Sequence, residues 1–364
     1  MNALTSTSPQ TQLPLIDAMK MVGTQLIVLH HLAFYGPLSD YAHSLAPGLF
    51  SWLSAHARLA VQIFLVISGF LAAQSVAPGG ALTQRPLGPL LWDRYLRLVP
   101  PCMVAIVLAI GCSALARALM SHHSIPDSPT WPQIAAHLLL LQDILGYDGL
   151  SAGVWFVSIA VQLFTLFLAV LWVARGVAGD GAAAERATLA LTAALAFASL
   201  YYFNRVAYLD AWAPYFFGAY ALGALAYWTA TSTRPWWWLL LVGTAVAGAL
   251  VLDFRWRIAV AFVVALTLAV ARRYRVRWPE SQAIRFLGTI SYSVFLIHFP
   301  VCLVISGAFT RFAPHHPWLG LLAMILAWLA SVAAGAGFYQ LVERRSQRLS
   351  AVGRTSLAFS RRRC

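Results

Sequence analysis

Residues 16–35 read IDAMKMVGTQLIVLHHLAFY. A helix needs about 20 apolar residues to cross a bilayer core, and this stretch has that length. The rest of the chain repeats the pattern. Of 364 residues, 60% are hydrophobic and only 10% are charged, against roughly 25% charged in ordinary soluble proteins. One soluble core cannot hide that much apolar surface. The same composition excludes disordered and fibrous classes. Apolar runs lie at about 17–35, 59–76, 98–120, 153–174, 187–203, 211–230, 236–252, 256–271, 287–309 and 318–341. The expected fold is all-α: a polytopic membrane protein with about ten transmembrane helices. Stretches 45–57 (LAPGLFSWLSAHA) and 131–145 (WPQIAAHLLLLQDIL) are too short or too polar to span, and read as interfacial or re-entrant helices.

The net charge is +13. In a soluble protein this would point to nucleic acid; here the basic residues have a topological reading. With the N-terminus in the cytoplasm, 19 of the 25 Lys and Arg residues fall on the cytoplasmic side and 6 outside, as the positive-inside rule requires. Both termini are then cytoplasmic. The chain divides into a short N-terminal cytoplasmic segment at 1–16, a membrane domain at 17–342 and a basic cytoplasmic tail at 343–364. The tail suits anionic membrane lipids; no nucleic-acid partner is expected. Residues 1–15 carry no Lys or Arg, so no signal-peptide n-region is expected. Cys102, Cys112, Cys302 and Cys364 form no CxxC pair; the first three lie in apolar runs and read as buried thiols. His122-His123 and His315-His316 lack further ligands at metal spacing, so no metal is expected.

Lys20 and His31 are 11 residues apart. That is three helical turns plus about 20°, so both lie on one helix face, about 16 Å apart along the axis. His30 points about 100° away. A cation at the inner mouth can hold the phosphates of a cytoplasmic donor, and a neutral histidine deeper in can take a proton from an acceptor. The alternative is a histidine bonded to a neighbouring helix, with Lys20 snorkelling. In VQIFLVISGFL (61–71), Ser68-Gly69 permits close packing or exposes polar groups to a cavity. In WDRYLRLVPP (92–101), Arg94 and Arg97 share a face, suited to phosphates or to plain anchoring. In GVWFVSIAVQLFTLF (153–167), Trp155 suits the outer aromatic belt, and Gln162 lines a cavity or ties helices together. In SYSVFLIHFPV (291–301), His298 precedes Pro300 by two residues, which suggests a locally opened helix or a satisfied structural histidine. Ser68, Trp155, Gln162 and His298 are thus the substrate-cavity candidates. The outer segment 121–152, with His122, His123, Asp127, Trp131, Asp143 and Asp148, is a candidate acceptor face.

Taken in order, IDAMKMVGTQLIVLHH, VQIFLVISGFL, RYLRLVPP, GVWFVSIAVQLF, PYFFGAYALGAL, SYSVFLIHFP and LVERRSQR resemble the landmarks of the acyltransferase 3 family over about residues 15–349. The resemblance implies transfer of an acyl group, often acetyl, from cytoplasmic acyl-CoA to a hydroxyl. The acceptor it implies is an envelope or exported carbohydrate or a glycolipid, and the location is a bacterial inner (plasma) membrane. It implies His31 as the catalytic histidine with Lys20 as its basic partner, and Arg94 and Arg97 beside Lys20 as contacts to CoA. No carboxylate lies between Trp155 and Ala169, where many members carry a glutamate, so the sequence identifies no carboxylate partner for His31. The rival reading is a transporter or flippase moving a lipid-linked sugar or acyl group without chemistry.

Overall fold

The computed structural model describes residues 14–231, 235–276 and 278–348. Residues 1–13, Arg234, Arg277 and everything from residue 349, including Cys364, lie outside the described residues, and with them most of the expected N-terminal segment and tail.

Every regular element among the described residues is helical. In order they are α1 (Pro14–Phe34), α2 (Leu38–Ala42), α3 (Pro47–His56), α4 (Val61–Val76), α5 (Leu87–Leu119), α6 (Trp131–Leu138) and α7 (Val154–Ala178). There follow α8 (Ala182–Tyr201), α9 (Ala213–Thr231), α10 (Pro235–Leu252), α11 (Trp256–Arg273), α12 (Gln282–Thr289), α13 (Ser291–Phe312) and α14 (Pro317–Phe338). Six stretches are long and apolar enough to cross a membrane: Pro47–Val76, Leu87–Leu119, Val154–Ala178, Ala182–Arg205, Ser291–Phe312 and Pro317–Arg348. They mark a membrane protein. Three other long helices are diluted by polar residues: Asp17, Lys20, His30 and His31 in α1, three arginines in α11, and Tyr, Thr and Gly in α9; α10 holds a shorter apolar stretch, Leu240–Leu252. Helix α9 is buried almost throughout. By length and composition, six stretches among the described residues reach a span, where about ten were expected from the apolar runs.

Several run boundaries shift for local reasons. A single 3₁₀ turn at Ala57–Ala60 joins α3 to α4, so 45–57 and 59–76 make one bent stretch. Of 131–145 only α6 is a regular helix, started by a reciprocal capping box between Thr130 and Gln133. Helix α13 runs unbroken through Pro300, where a local opening was expected. Residues Phe295 to Pro300 are all buried, and this surrounding packing holds the helix through the missing N–H. Cys102, Cys112 and Cys302 are free thiols, Cys102 fully buried. Beyond α14, a π turn at Tyr339–Glu343 leads into helix up to Arg348. Glu343 and Ser346 are buried, and the Ser346 hydroxyl donates to the Leu96 carbonyl on α5. The first residues of the expected tail therefore belong to the packed bundle.

Helices α4 and α9 touch backbone to backbone. A Cβ on Gly69 would lie 1.8 Å from the Tyr220 carbonyl oxygen, and one on Gly223 would lie 1.9 Å from that of Val66. Only small residues permit this approach. Gly223→Ala is expected to destabilise the fold by about 1–3 kcal/mol or more, read as a lower thermal midpoint in detergent. An unchanged midpoint would contradict the contact. On the outside, Val104, Val107, Leu108 and Leu115 of α5 and Leu322, Ile325, Leu326 and Leu329 of α14 are exposed. They recur at helical spacing, as lipid-facing stripes do.

Candidate active site

A cavity of about 500 Å³ lies between α1, α4, α5, α7, α13 and the π turn after α14. Its polar lining includes Lys20, Ser68, Arg94, Arg97, Tyr292 and Glu343. The sequence brings them together simply. Lys20 sits in the second turn of α1; Arg94 and Arg97 are one turn apart on α5. Ser68 faces the cavity while its neighbour Gly69 makes the α9 contact, so the Ser-Gly pair does both things the sequence allowed. Lys20 Nζ pairs with Asp17 at 3.3 Å. The Arg94 guanidinium lies 5.3 Å over the Phe164 ring, and its Nε has no hydrogen-bond partner among the described residues. Glu343 accepts from Ser293 Oγ at 2.5 Å and Gln347 Nε2 at 2.8 Å, and feels the charges of Arg97 and Lys20. Three cations against two carboxylates, Glu343 in the lining and Asp17 paired with Lys20, leave a net positive cavity within low-dielectric walls, which favours a polyanion such as a phosphate ester.

His31 lies on the same face of α1 as Lys20 but does not line this cavity. Its Nδ1 is 2.6 Å from His298 Nε2, with the two rings stacked 4.9 Å apart and 11° from parallel. The tautomers follow from the partners. His298 Nδ1 lies 2.8 Å from the Phe295 carbonyl and 3.3 Å from that of Val294. Carbonyls only accept, so this nitrogen carries the proton and His298 Nε2 is bare. His31 Nδ1–H must then donate to His298, which leaves His31 Nε2 with a free lone pair. An imidazole so arranged is a general base whose orientation is held by a second imidazole. His31 also lines a void of about 10 Å³ with Tyr35, Leu38, Phe299 and Ser306, roughly the room for one water. Phe295, whose ring centroid is 6.2 Å from that of His298, lines the large cavity. The shared helix face therefore does not make Lys20 and His31 line one cavity.

The remaining candidates fall elsewhere. Trp155 packs on Phe216 at 5.9 Å and Phe156 at 6.0 Å. Gln162 Nε2 donates to the Ala211 carbonyl at 3.2 Å, and its Oε1 accepts from Ala213 N–H at 3.0 Å; it ties α7 to the start of α9. His30 Nδ1 meets the Leu53 carbonyl at 3.2 Å, linking α1 to α3. In the loop segment, His122 Nδ1 lies 2.7 Å from Ser124 Oγ, which reaches the Tyr35 carbonyl at 3.5 Å. Tyr35 in turn packs on His31 at 5.3 Å. His137 and Asp143 form an inner polar layer of this loop; burial pushes the Asp143 carboxyl up and the His137 imidazole down. No group of three or more His, Cys, Asp or Glu side chains that would hold a metal occurs among the described residues.

Glu343, Tyr292 and Phe295 escaped the sequence reading. Glu343 sits beside Arg344 and Arg345, where it passes for an ordinary charge in a basic tail. A signal existed: few acidic residues occur near these apolar runs, and one in a run-ending position is costly unless paired.

With this geometry in hand, comparison with known proteins is specific. A family model described as an acyltransferase domain, that of acyltransferase 3, matches residues 13–339. The chain belongs to that family, and acyl transfer is the activity the family implies. No curated protein and no solved structure matches it.

Proposed function

We propose that the protein is a membrane O-acyltransferase that moves an acyl group, acetyl on the family resemblance, from cytoplasmic acyl-CoA to a hydroxyl of an envelope or exported carbohydrate or glycolipid. Ten membrane helices and two cytoplasmic termini in a bacterial inner membrane complete this reading. The His31–His298 pair beside a tri-cationic cavity is the observation that carries it. Lys20, Arg94 and Arg97 bind the donor phosphates. The thioester reaches as far as Phe295, whose ring lies against His298 of the pair. His31 Nε2 takes the acceptor's hydroxyl proton as the oxygen attacks the thioester carbonyl carbon. The C–S bond then breaks, and the leaving thiolate recovers the proton from His31. The products are an ester and free CoA, with no other reactant. Charge on His31 strengthens its Nδ1–H···Nε2 bond to His298 as the proton arrives, so His298 positions and stabilises the base without touching substrate.

The test is genetic and chemical. Deleting the gene should remove an ester from the envelope glycans, seen as a mass loss. Wild type should restore it, and His31→Ala should not, at equal membrane abundance. No mass change on any glycan would count against the enzyme. A transporter would instead keep part of its substrate movement after His31→Ala.

A further inference from the structure

The large cavity ends on phenylalanine rings on three separate helices. On α4 its lining runs from Ser75 back to Phe64, on α7 from Ala160 to Phe156, and on α13 from Ser291 to Phe295. The α4 series covers 12 residues, about 16 Å of helix from first to last. The terminal rings interlock edge to face: Phe64 and Phe156 at 6.1 Å and 68°, Phe156 and Phe295 at 5.5 Å and 69°. They are also backed by main chain. A Cβ on Gly23 would lie 2.9 Å from Phe64 Cε2, and one on Gly153 would lie 2.8 Å from Phe295 Cε1. Neither ring has room to retreat without moving a helix or loop.

We propose that Phe64, Phe156 and Phe295 form the acyl end of the donor site and restrict it to short acyl chains. This rests on the donor reading above. If phosphates are held among Lys20, Arg94 and Arg97, the thioester arm lies along α4 and its acyl group meets these rings. Each added methylene must then displace aromatic carbon that is already backed by glycine. Packed pockets discriminate single methylenes by about tenfold or more.

The experiment is competition binding on the full-length protein in lipid nanodiscs. Radiolabelled acetyl-CoA is displaced by free CoA and by acetyl-, butyryl- and hexanoyl-CoA. Wild type should bind hexanoyl-CoA at least about tenfold more weakly than acetyl-CoA. Phe64→Ala should bring the two within about twofold. Gly23→Ala, which pushes the Phe64 ring into the cavity, should widen the gap already at butyryl-CoA. If Phe64→Ala fails to bind free CoA because it misfolds, Phe64→Leu is measured in its place. Equal wild-type affinity for acetyl- and hexanoyl-CoA would overturn the wall, as would an unchanged ratio in both Phe64 variants. Failure of wild type to bind free CoA overturns the donor reading itself, and appears before any chain length is compared.

Discussion

His31→Ala is expected to lower acyl transfer by about 10²- to 10⁴-fold, the usual contribution of a positioned general base. Donor binding should stay within about threefold of wild type, because His31 does not line the donor cavity. The dyad sharpens the prediction at His298. His298 Nε2 acts only as an acceptor for His31 Nδ1–H. His298→Leu removes that acceptor and frees the His31 ring to rotate or change tautomer, so kcat should fall by about 10²-fold, within the range that proton transfer contributes. His298→Gln offers an amide oxygen at similar reach and should recover part of the loss. A purely structural histidine gives a different pattern: both variants lose expression and thermal stability together, and the surviving protein keeps its kcat. Purified protein assayed for CoA release with its acceptor separates the two.

Arg94→Met is expected to raise KM for acyl-CoA by about 10- to 100-fold, the effect of losing a hydrogen bond to a charged group, with a smaller change in kcat. The basis is its place in the cavity, its unpartnered Nε and its seat over Phe164. Arg94→Lys should recover less than a charge count suggests, since an ammonium lacks the planar fork and the stacking surface. Lys20 should be more tolerant than Arg94, because Asp17 already neutralises part of its charge at 3.3 Å. A KM unchanged by Arg94→Met would move the phosphate site away from α5.

The two halves of the site differ in how legible they were. Lys20, Arg94 and Arg97 stand at the ends of apolar runs, and charges there are visible against a hydrophobic background. Their convergence needs α1 and α5 to pack around one cavity, which no local pattern states. His31 was visible because an 11-residue interval returns to the same face of a helix. Its partner was harder. His298 is 267 residues away, and a histidine before a buried Pro reads equally well as a self-satisfied side chain. It is in fact both: Nδ1 bonds to its own helix and Nε2 serves His31.

Composition and hydrophobic run length alone established a helical membrane protein, because bilayer thickness sets how many apolar residues a span must have. They also placed the ionisable residues that a lipid-facing helix would reject. Tertiary packing decided which of those residues meet. Backbone contact at Gly69 and Gly223 draws α4 onto α9, Phe295 is wedged between cavity and dyad, and the π turn brings Glu343 to Arg97 and Lys20. Those contacts join segments far apart in the chain, and their geometry depends on side chains fitting across helices, which periodicity along any one helix does not encode.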